Sequence, residues 1–191
     1  MKKSGKFLAM LLALSMIFSA LSMSVFADSA IESPIVPIPP SQPDYSGWFD
    51  YALDEEHRTA VITKFNYEAD KGKEDVTVHK TYREAGVTYS VVGIGEGAFK
   101  ETGIKKLTVE NGITSIGKDA FLNCSDLKEI NIPVSVISVD PTAFEGTAWL
   151  ADQPDGVVCA GKVVYKLKGT CADTVVLPAD AVSVAEGVFK G

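Results

Sequence analysis

The sequence has very little of what enzyme catalysis uses. It contains two histidines, His57 in the polar stretch DEEHRT and His79 at the end of a β-type run, and neither has a neighbour at triad or metal-site spacing. Both histidines are therefore predicted to be solvated surface residues. There is no nucleophile elbow, phosphate-binding loop or HExxH motif. Asp152, Gln153 and Asp155 offer fewer ligands than a calcium loop needs, and a turn is the better interpretation. We therefore predict no enzyme activity and no catalytic, cofactor-binding or metal-binding residue.

Cysteine is scarce as well. The chain has three cysteines in 191 residues, and a protein of this size would need several bridges to depend on a disulfide framework. At most one bridge can form within the chain, and Cys159 with Cys171 is the plausible pair because it closes a short loop. The alternative is three free thiols that pack as small hydrophobic side chains, Cys124 among them.

Long apolar runs are missing except at the start of the chain. Residues 1–27 have three lysines, an apolar run from Phe7 to Phe26 and small residues before Asp28, which is the pattern of a secretory signal peptide cleaved after Ala27. The alternative is a retained membrane anchor, because the run is nearly long enough to span. Both interpretations place the protein outside the cytoplasm, secreted or at the cell surface, and cleavage would leave no segment for membrane insertion.

Positive charge is also in short supply. Removing residues 1–27 takes away three of the 18 basic residues and none of the 25 acidic residues, so the exported chain has a formal charge of −10. Binding to nucleic acid or to an anionic membrane depends on positive charge. We therefore expect neither as a partner.

Proline is concentrated in residues 28–44, where five prolines fall within ten residues. Such a density excludes a helix or a central strand and favours an extended, semi-rigid linker. Residues 45–81 then contain three runs rich in β-branched and aromatic residues, separated by the polar stretches DEEH and EADKGK. The pattern predicts an N-terminal β cap with two hairpins, of the kind that covers the first unit of a repeat protein.

One apolar pattern repeats along residues 82–191. It is defined by six positions that end at a phenylalanine: Ile104, Leu107, Val109, Ile113, Ile116 and Phe121. The same spacing ending at Phe99, Phe144 or Phe189 also meets six apolar residues. A period of 22 or 23 residues indicates a solenoid, in which short strands stack unit on unit and the four phenylalanines form a column at one corner.

Residues 145–169 break this pattern. The register fails there at three positions, and GVVCAGKVVYKLKG has two β-branched runs around Ala-Gly-Lys, which predicts an inserted β-hairpin unit. Trp149 stands where Leu127 and Ile104 stand relative to their phenylalanines, so we expect it to pack under the hairpin. The sequence ends just after Phe189, before the strands that should follow, and this predicts a solenoid truncated at its C-terminal end.

AFLNCSDLKEINIPVSVISVDPTAF resembles the BspA-like leucine-rich repeats of bacterial surface proteins, with Cys124 at the family's buried turn cysteine. TAWLADQPDGVVCAGKVVYKLKG is similar to a longer hairpin repeat of the same family. The chain departs from the pattern at VDPTAF and in the turn from Phe99 to Ile104, which is shorter and lacks the cysteine. The resemblance implies a mainly β leucine-rich-repeat solenoid with short helical or irregular turns.

The function implied by the resemblance is noncovalent binding or adhesion to an extracellular protein or glycan. An alternative is an N-terminal recognition or spacer module of a larger secreted enzyme such as a cell-wall hydrolase. Outward-facing strand positions are the candidate ligand contacts, and they are Lys105, Lys106, Thr108, Lys128, Glu129 and Asn131. Each of these taken singly can also be an ordinary solvated side chain. The sequence does not indicate the ligand, the binding face or the oligomeric state.

Overall fold

A computed structural model describes residues 47–66, 74–170 and 174–189, all within one compact unit, Pro43–Gly191. The predicted signal peptide, the proline-rich linker and Cys171 lie outside the described residues. In chain order the elements are β1 (Phe49–Asp54), β2 (Thr59–Phe65), β3 (Asp75–Val78), β4 (Thr81–Glu84), β5 (Val87–Ile94), β6 (Lys106–Val109), β7 (Ser115–Ile116), β8 (Glu129–Asn131), β9 (Ser138–Val139), α1 (Ala148–Ala151), β10 (Gly156–Ala160), β11 (Val163–Lys168) and β12 (Ser183–Val184).

The strands form three sheets. The first has the order β1-β2-β5-β7-β9 with β4 paired to β5, and its strands β2, β5, β7 and β9 are parallel. The second has the order β3-β6-β8 and is parallel throughout. The third has the order β10-β11-β12. Consecutive units add one strand to the first sheet and one to the second, so the predicted mainly β solenoid is confirmed.

The core is built by stacking equivalent residues of successive units. Leu107, Ile113 and Phe121 are fully buried, because each unit presents its apolar residues to the same positions of the next. Backbone bonds fix the spacing at the corner, where the Phe99 N–H donates to the Ala120 carbonyl and the Phe121 N–H to the Ala143 carbonyl, both at 2.8 Å. The units are therefore held in register by hydrogen bonds as well as by burial.

The aromatic column extends further upstream than expected and does not include Phe189. Its centroid distances are 5.1 Å from Phe65 to Phe99, 4.9 Å from Phe99 to Phe121 and 5.1 Å from Phe121 to Phe144. Phe189 is 54% exposed. The prediction that Phe189 joins the column is wrong, because the inserted unit lies after Phe144 and places Tyr165 against that ring at 5.5 Å.

The N-terminal cap holds one of its two predicted hairpins. β1 and β2 pair antiparallel, as the first turn indicates. β2 and β3 do not pair, because β2 joins the first sheet beside β5 and β3 joins the second beside β6. The parallel stack therefore begins inside the segment assigned to the cap.

The first repeat register is also wrong in part. Tyr82 and Val87 lie on β4 and β5, which form an antiparallel hairpin instead of an inward-facing repeat unit. The turn between these strands has φ of 48° at Ala85 and 84° at Gly86, the backbone of a tight two-residue hairpin. Ala85 and Val87 are exposed, whereas Val91, Ile94 and Phe99 of the same register are buried.

The inserted unit is a short helix followed by a hairpin. Thr147 caps α1 by accepting a hydrogen bond from the Leu150 N–H, and β10 pairs antiparallel with β11. Tyr165 anchors the hairpin, since its buried hydroxyl donates to the Pro141 carbonyl at 3.0 Å and accepts from the Phe144 N–H at 3.1 Å. Trp149 packs as expected, with its ring 5.2 Å from Phe144 and 6.3 Å from Tyr165.

In residues 47–66, 74–170 and 174–189, no helix combines the length and the apolar character that a membrane span requires.

The aromatic column should carry much of the stability. We expect Phe121→Ala to lower the free energy of unfolding by about 3–5 kcal/mol, because it leaves a cavity between two stacked rings. The measurement is equilibrium denaturation followed by circular dichroism. Phe189→Ala is the matched control and should cost less than about 1 kcal/mol, because that ring is half exposed. Equal losses in the two variants would contradict the assignment of the column.

Candidate ligand-binding face

The six sequence-predicted contact residues lie together on the outer surface of the second sheet. Strand register places Lys106 beside Glu129 and Thr108 beside Asn131, with Leu107 turned into the core between them. Lys105 and Lys128 precede these strands and are also adjacent, since the Lys128 N–H donates to the Lys105 carbonyl at 3.0 Å. We call this surface the strand face; it includes the equivalent residues of the preceding unit, Glu74, Asp75 and Thr77.

Side chains of the strand face form three rows across the sheet, because the strands are parallel and in register. The first row is Glu74, Lys105 and Lys128, and we call it the basic row because two of its three members are lysines. The mixed row is Asp75, Lys106 and Glu129, and the polar row is Thr77, Thr108 and Asn131. Neighbouring members of a row are one strand spacing apart, about 4.8 Å. The face thus presents a regular array of charged and hydrogen-bonding groups.

Ion pairs occupy part of this array. Lys105 Nζ lies 2.5 Å from Glu74 Oε1, and Lys106 Nζ lies 2.9 Å from Glu129 Oε2. The hydrogen bond with Glu129 and then its charge raise the pKa of Lys106 above its ordinary value. Lys128 is in no ion pair within the part of the chain that the structure describes. Exposed pairs contribute little to stability, so a ligand can compete for these groups at small cost.

A histidine–glutamate pair that the sequence did not indicate lies at one end of the strand face. His79 Nδ1 lies 2.9 Å from Glu110 Oε1, and the Lys80 N–H donates to Glu110 Oε2 at 3.0 Å. The prediction of a solvated His79 is wrong, since only 17% of its side chain is exposed. His79 and Glu110 directly follow Val78 and Val109, which are register partners, so the alignment of units contained the signal. His57 lies on the surface as predicted, bonded to Asp54.

Desolvation raises the pKa of Glu110, but this effect is outweighed. The Lys80 N–H, the His79 ring and the charges of both residues stabilise the carboxylate, and the pKa lies below its ordinary value. His79 and Glu110 belong to consecutive units, so the pair connects those units at the edge of the face.

Two cysteines of the described residues are free thiols. Cys124 is buried at the repeat corner, where its Sγ donates to the Phe99 carbonyl at 2.9 Å, and burial raises the pKa of its thiol. This is the structural role that the resemblance implied. Cys159 is half-buried, and Cys171, the partner considered for it, lies outside the described residues.

Other concave or acidic places offer less to a ligand. A depression of about 250 Å³ beside α1 is lined by Leu150, Ala151, Lys166 and Lys168, among others. Both lysines are engaged there, Lys166 with Glu145 and Lys168 with the backbone carbonyls of Ala151 and Gln153. Residues 47–66, 74–170 and 174–189 contain no cluster of three His, Cys, Asp or Glu side chains arranged to hold a metal ion.

Known proteins show the same architecture. Residues 84–152 match the family model described as BspA type Leucine rich repeat region, in six copies. This segment of the chain is a BspA-type leucine-rich repeat region. The predicted family is thereby confirmed for residues 84–152, and it is a family of repeat modules that are typically noncatalytic.

Solved structures of bacterial leucine-rich repeat proteins are similar to the chain. The Treponema pallidum protein TpLRR is 20% identical with a TM-score of 0.51, over 74% of this chain and 64% of that one. A leucine-rich repeat protein from Bacteroides capillosus is 25% identical with a TM-score of 0.46, over 54% of this chain and 90% of that one. A leucine rich cell surface protein from Faecalibacterium prausnitzii is 25% identical with a TM-score of 0.42, over 49% and 25%. No curated protein matches the chain.

Stability should depend on pH through Glu110. Because the pKa of this carboxyl is lower in the folded than in the unfolded chain, its contribution is present at neutral pH and is lost as the pH falls through the folded-state pKa. We expect Glu110→Gln to destabilise the protein at pH 7, and the difference from wild type to narrow toward pH 3. Urea denaturation at a series of pH values measures this. A difference that stays constant from pH 7 to pH 3 would contradict the role of the Glu110 charge.

Proposed function

We propose that the protein is a secreted or surface-exposed leucine-rich-repeat module that binds an extracellular protein or glycan noncovalently, in an adhesive or recognition role. The observation that carries this proposal is the strand face, where charged and hydrogen-bonding side chains of three successive units stand in register. The N-terminal pattern of a secretory signal supports export.

Binding on this face follows from the way the solenoid displays its side chains. The backbone beneath the rows is a continuous parallel sheet over a buried layer that includes Val76, Leu107 and Val109. Side chains on such a support need little further ordering to contact a ligand, which reduces the entropic cost of binding. Solenoids use extended arrays of this kind for extended ligands.

Charge indicates which contacts should matter most. The chain is acidic overall, yet three of the six predicted contact residues are lysines, two of them adjacent in sequence. Lys128 has no acidic partner in the described residues, so its charge is available to an acidic group of the ligand. Electrostatic complementarity of this kind chiefly sets specificity and the association rate.

The proposal is tested with an array of glycans and extracellular proteins probed with residues 43–191. We expect binding to at least one class, and we expect the triple variant Lys105→Glu, Lys106→Glu and Lys128→Glu to lose about tenfold or more in affinity. That loss is about 1.4 kcal/mol, close to the lower limit for close charge pairs at interfaces. Binding to acidic ligands should also weaken with added salt.

Lys118→Glu supplies the matched control for charge reversal. Lys118 is 59% exposed and pairs with Glu96 at 3.9 Å, in a turn away from the second sheet. Its reversal changes the net charge without changing the strand face, so binding should stay within about twofold of wild type. No binding on the array, or binding that ignores the triple variant, would exclude the strand face as the ligand site.

A further inference from the structure

The second sheet ends at a strand whose outer edge has no partner. β8 pairs with β6 on one side, and no other strand of the described ranges pairs with it. The Glu129 N–H donates to the Lys105 carbonyl, so Glu129 and Asn131 form the ladder to β6. Backbone groups alternate in direction along a strand, and the N–H and C=O of Ile130 therefore point away from β6. An edge of this kind can pair with a further strand.

Side-chain burial also shows that no strand covers the core next to β8. Val76, Leu107 and Ile130 are register partners across the sheet, and the first two are 2% and 0% exposed. Ile130 is only half-buried, although it is of similar size and faces the same core. The difference arises because the following unit contributes a helix and a hairpin, and no further strand to the second sheet, in the described residues.

The inserted unit touches the two ends of this edge. At one end the Trp149 N–H donates to the Leu127 carbonyl at 2.7 Å. At the other end Gly161 lies so close to Ile132 that a Cβ placed on it would be 3.0 Å from the Ile132 side chain. A segment that pairs with Ile130 would lie between these two contacts, so its paired part is short.

The rows of the strand face specify what such a segment would carry. Lys128 has no ion pair in the described residues, so it favours an acidic residue of the added segment beside it. Glu129, which is 69% exposed, favours a basic residue next in the mixed row. Ile130 favours a β-branched side chain, and Asn131 favours a hydroxyl. The complementary order in a parallel strand is acidic, basic, aliphatic, hydroxyl, aliphatic.

We propose that the outer edge of β8 binds an extended peptide segment of a protein partner as a fourth parallel strand of the second sheet. This inference rests on the proposed function and narrows its ligand class to polypeptide, since a glycan has no alternating N–H and C=O groups to complete the ladder. Backbone pairing supplies affinity, and the basic and mixed rows select the sequence.

The test uses the peptide Ac-Glu-Lys-Val-Thr-Val-NH2 titrated into the purified, isotope-labelled protein, with amide chemical shifts as the readout. In the expected register the Thr N–H donates to the Ile130 carbonyl, while the N–H of the central Val points away from β8. N-methylation of Thr should weaken binding by about tenfold or more, and N-methylation of the central Val by about threefold at most. The Ile130 amide should become protected from hydrogen exchange. Equal effects of the two methylations, or no binding, would overturn the proposal.

Variants of the protein test the same edge independently. Ile130→Pro removes the outward N–H and keeps the ladder to β6, and proline is tolerated at such edge positions. It should abolish the shifts caused by the peptide. If this variant does not fold, Lys128→Glu is the alternative test of the edge. It should weaken binding of the original peptide about tenfold. It should also improve binding of the peptide that begins Lys-Glu instead of Glu-Lys. Unchanged peptide preference in Lys128→Glu would contradict the register.

The two proposals fail in different ways. A glycan on the array that depends on the three lysines, together with a peptide that does not bind, would retain the strand face as the ligand site and refute strand addition. Failure of the array and of the peptide together would refute both.

Discussion

The structure depends on the stacking of equivalent residues at a fixed interval of 22 or 23 residues. Phe99, Phe121 and Phe144 lie ring on ring about 5 Å apart, and backbone hydrogen bonds of 2.8 Å join consecutive units at the same corners. A single unit has two strands of two to four residues and cannot bury its own apolar side chains. Each unit is therefore stable only against its neighbours, and the register between units is the condition for the core.

The same register creates the candidate binding surface. Once Leu107 and Ile130 are aligned to fill the core, the residues on either side of them must align on the outside. The basic, mixed and polar rows are thus a consequence of packing and cost no further free energy to position. Their ion pairs are exposed and weak, so they contribute to recognition more than to stability. Packing and binding use alternate residues of the same strands, and substitutions on one side leave the other largely intact.

Much of this could be predicted from the sequence because a repeat supplies several copies of the same information. The register that ends at Phe121 correctly identified six buried residues and the outward position Lys106. The register that ends at Phe144 identified four buried residues, while its Ile130 and Ile132 are only half-buried. The register that ends at Phe99 was wrong at Ala85 and Val87 because apolar residues of a tight hairpin can satisfy the same pattern while facing solvent. The His79–Glu110 pair was missed because its members are 31 residues apart and only the alignment of units brings them together.

In the last described unit, the effect of residue type on side-chain burial can be distinguished from the effect of a neighbouring unit. Val184 and Phe189 hold the register of Ile116 and Phe121, yet they are 44% and 54% exposed where their counterparts are 2% and 0% exposed. The residue types are comparable, so the difference in burial comes from the absence of a following unit among the described residues. An apolar surface of this kind accepts any complementary apolar face and selects poorly among partners. The β8 edge is different, because Lys128 and Glu129 place opposite charges at defined positions beside open backbone groups. Specific recognition is therefore expected at the polar edge, where charge and hydrogen-bond direction both constrain the ligand.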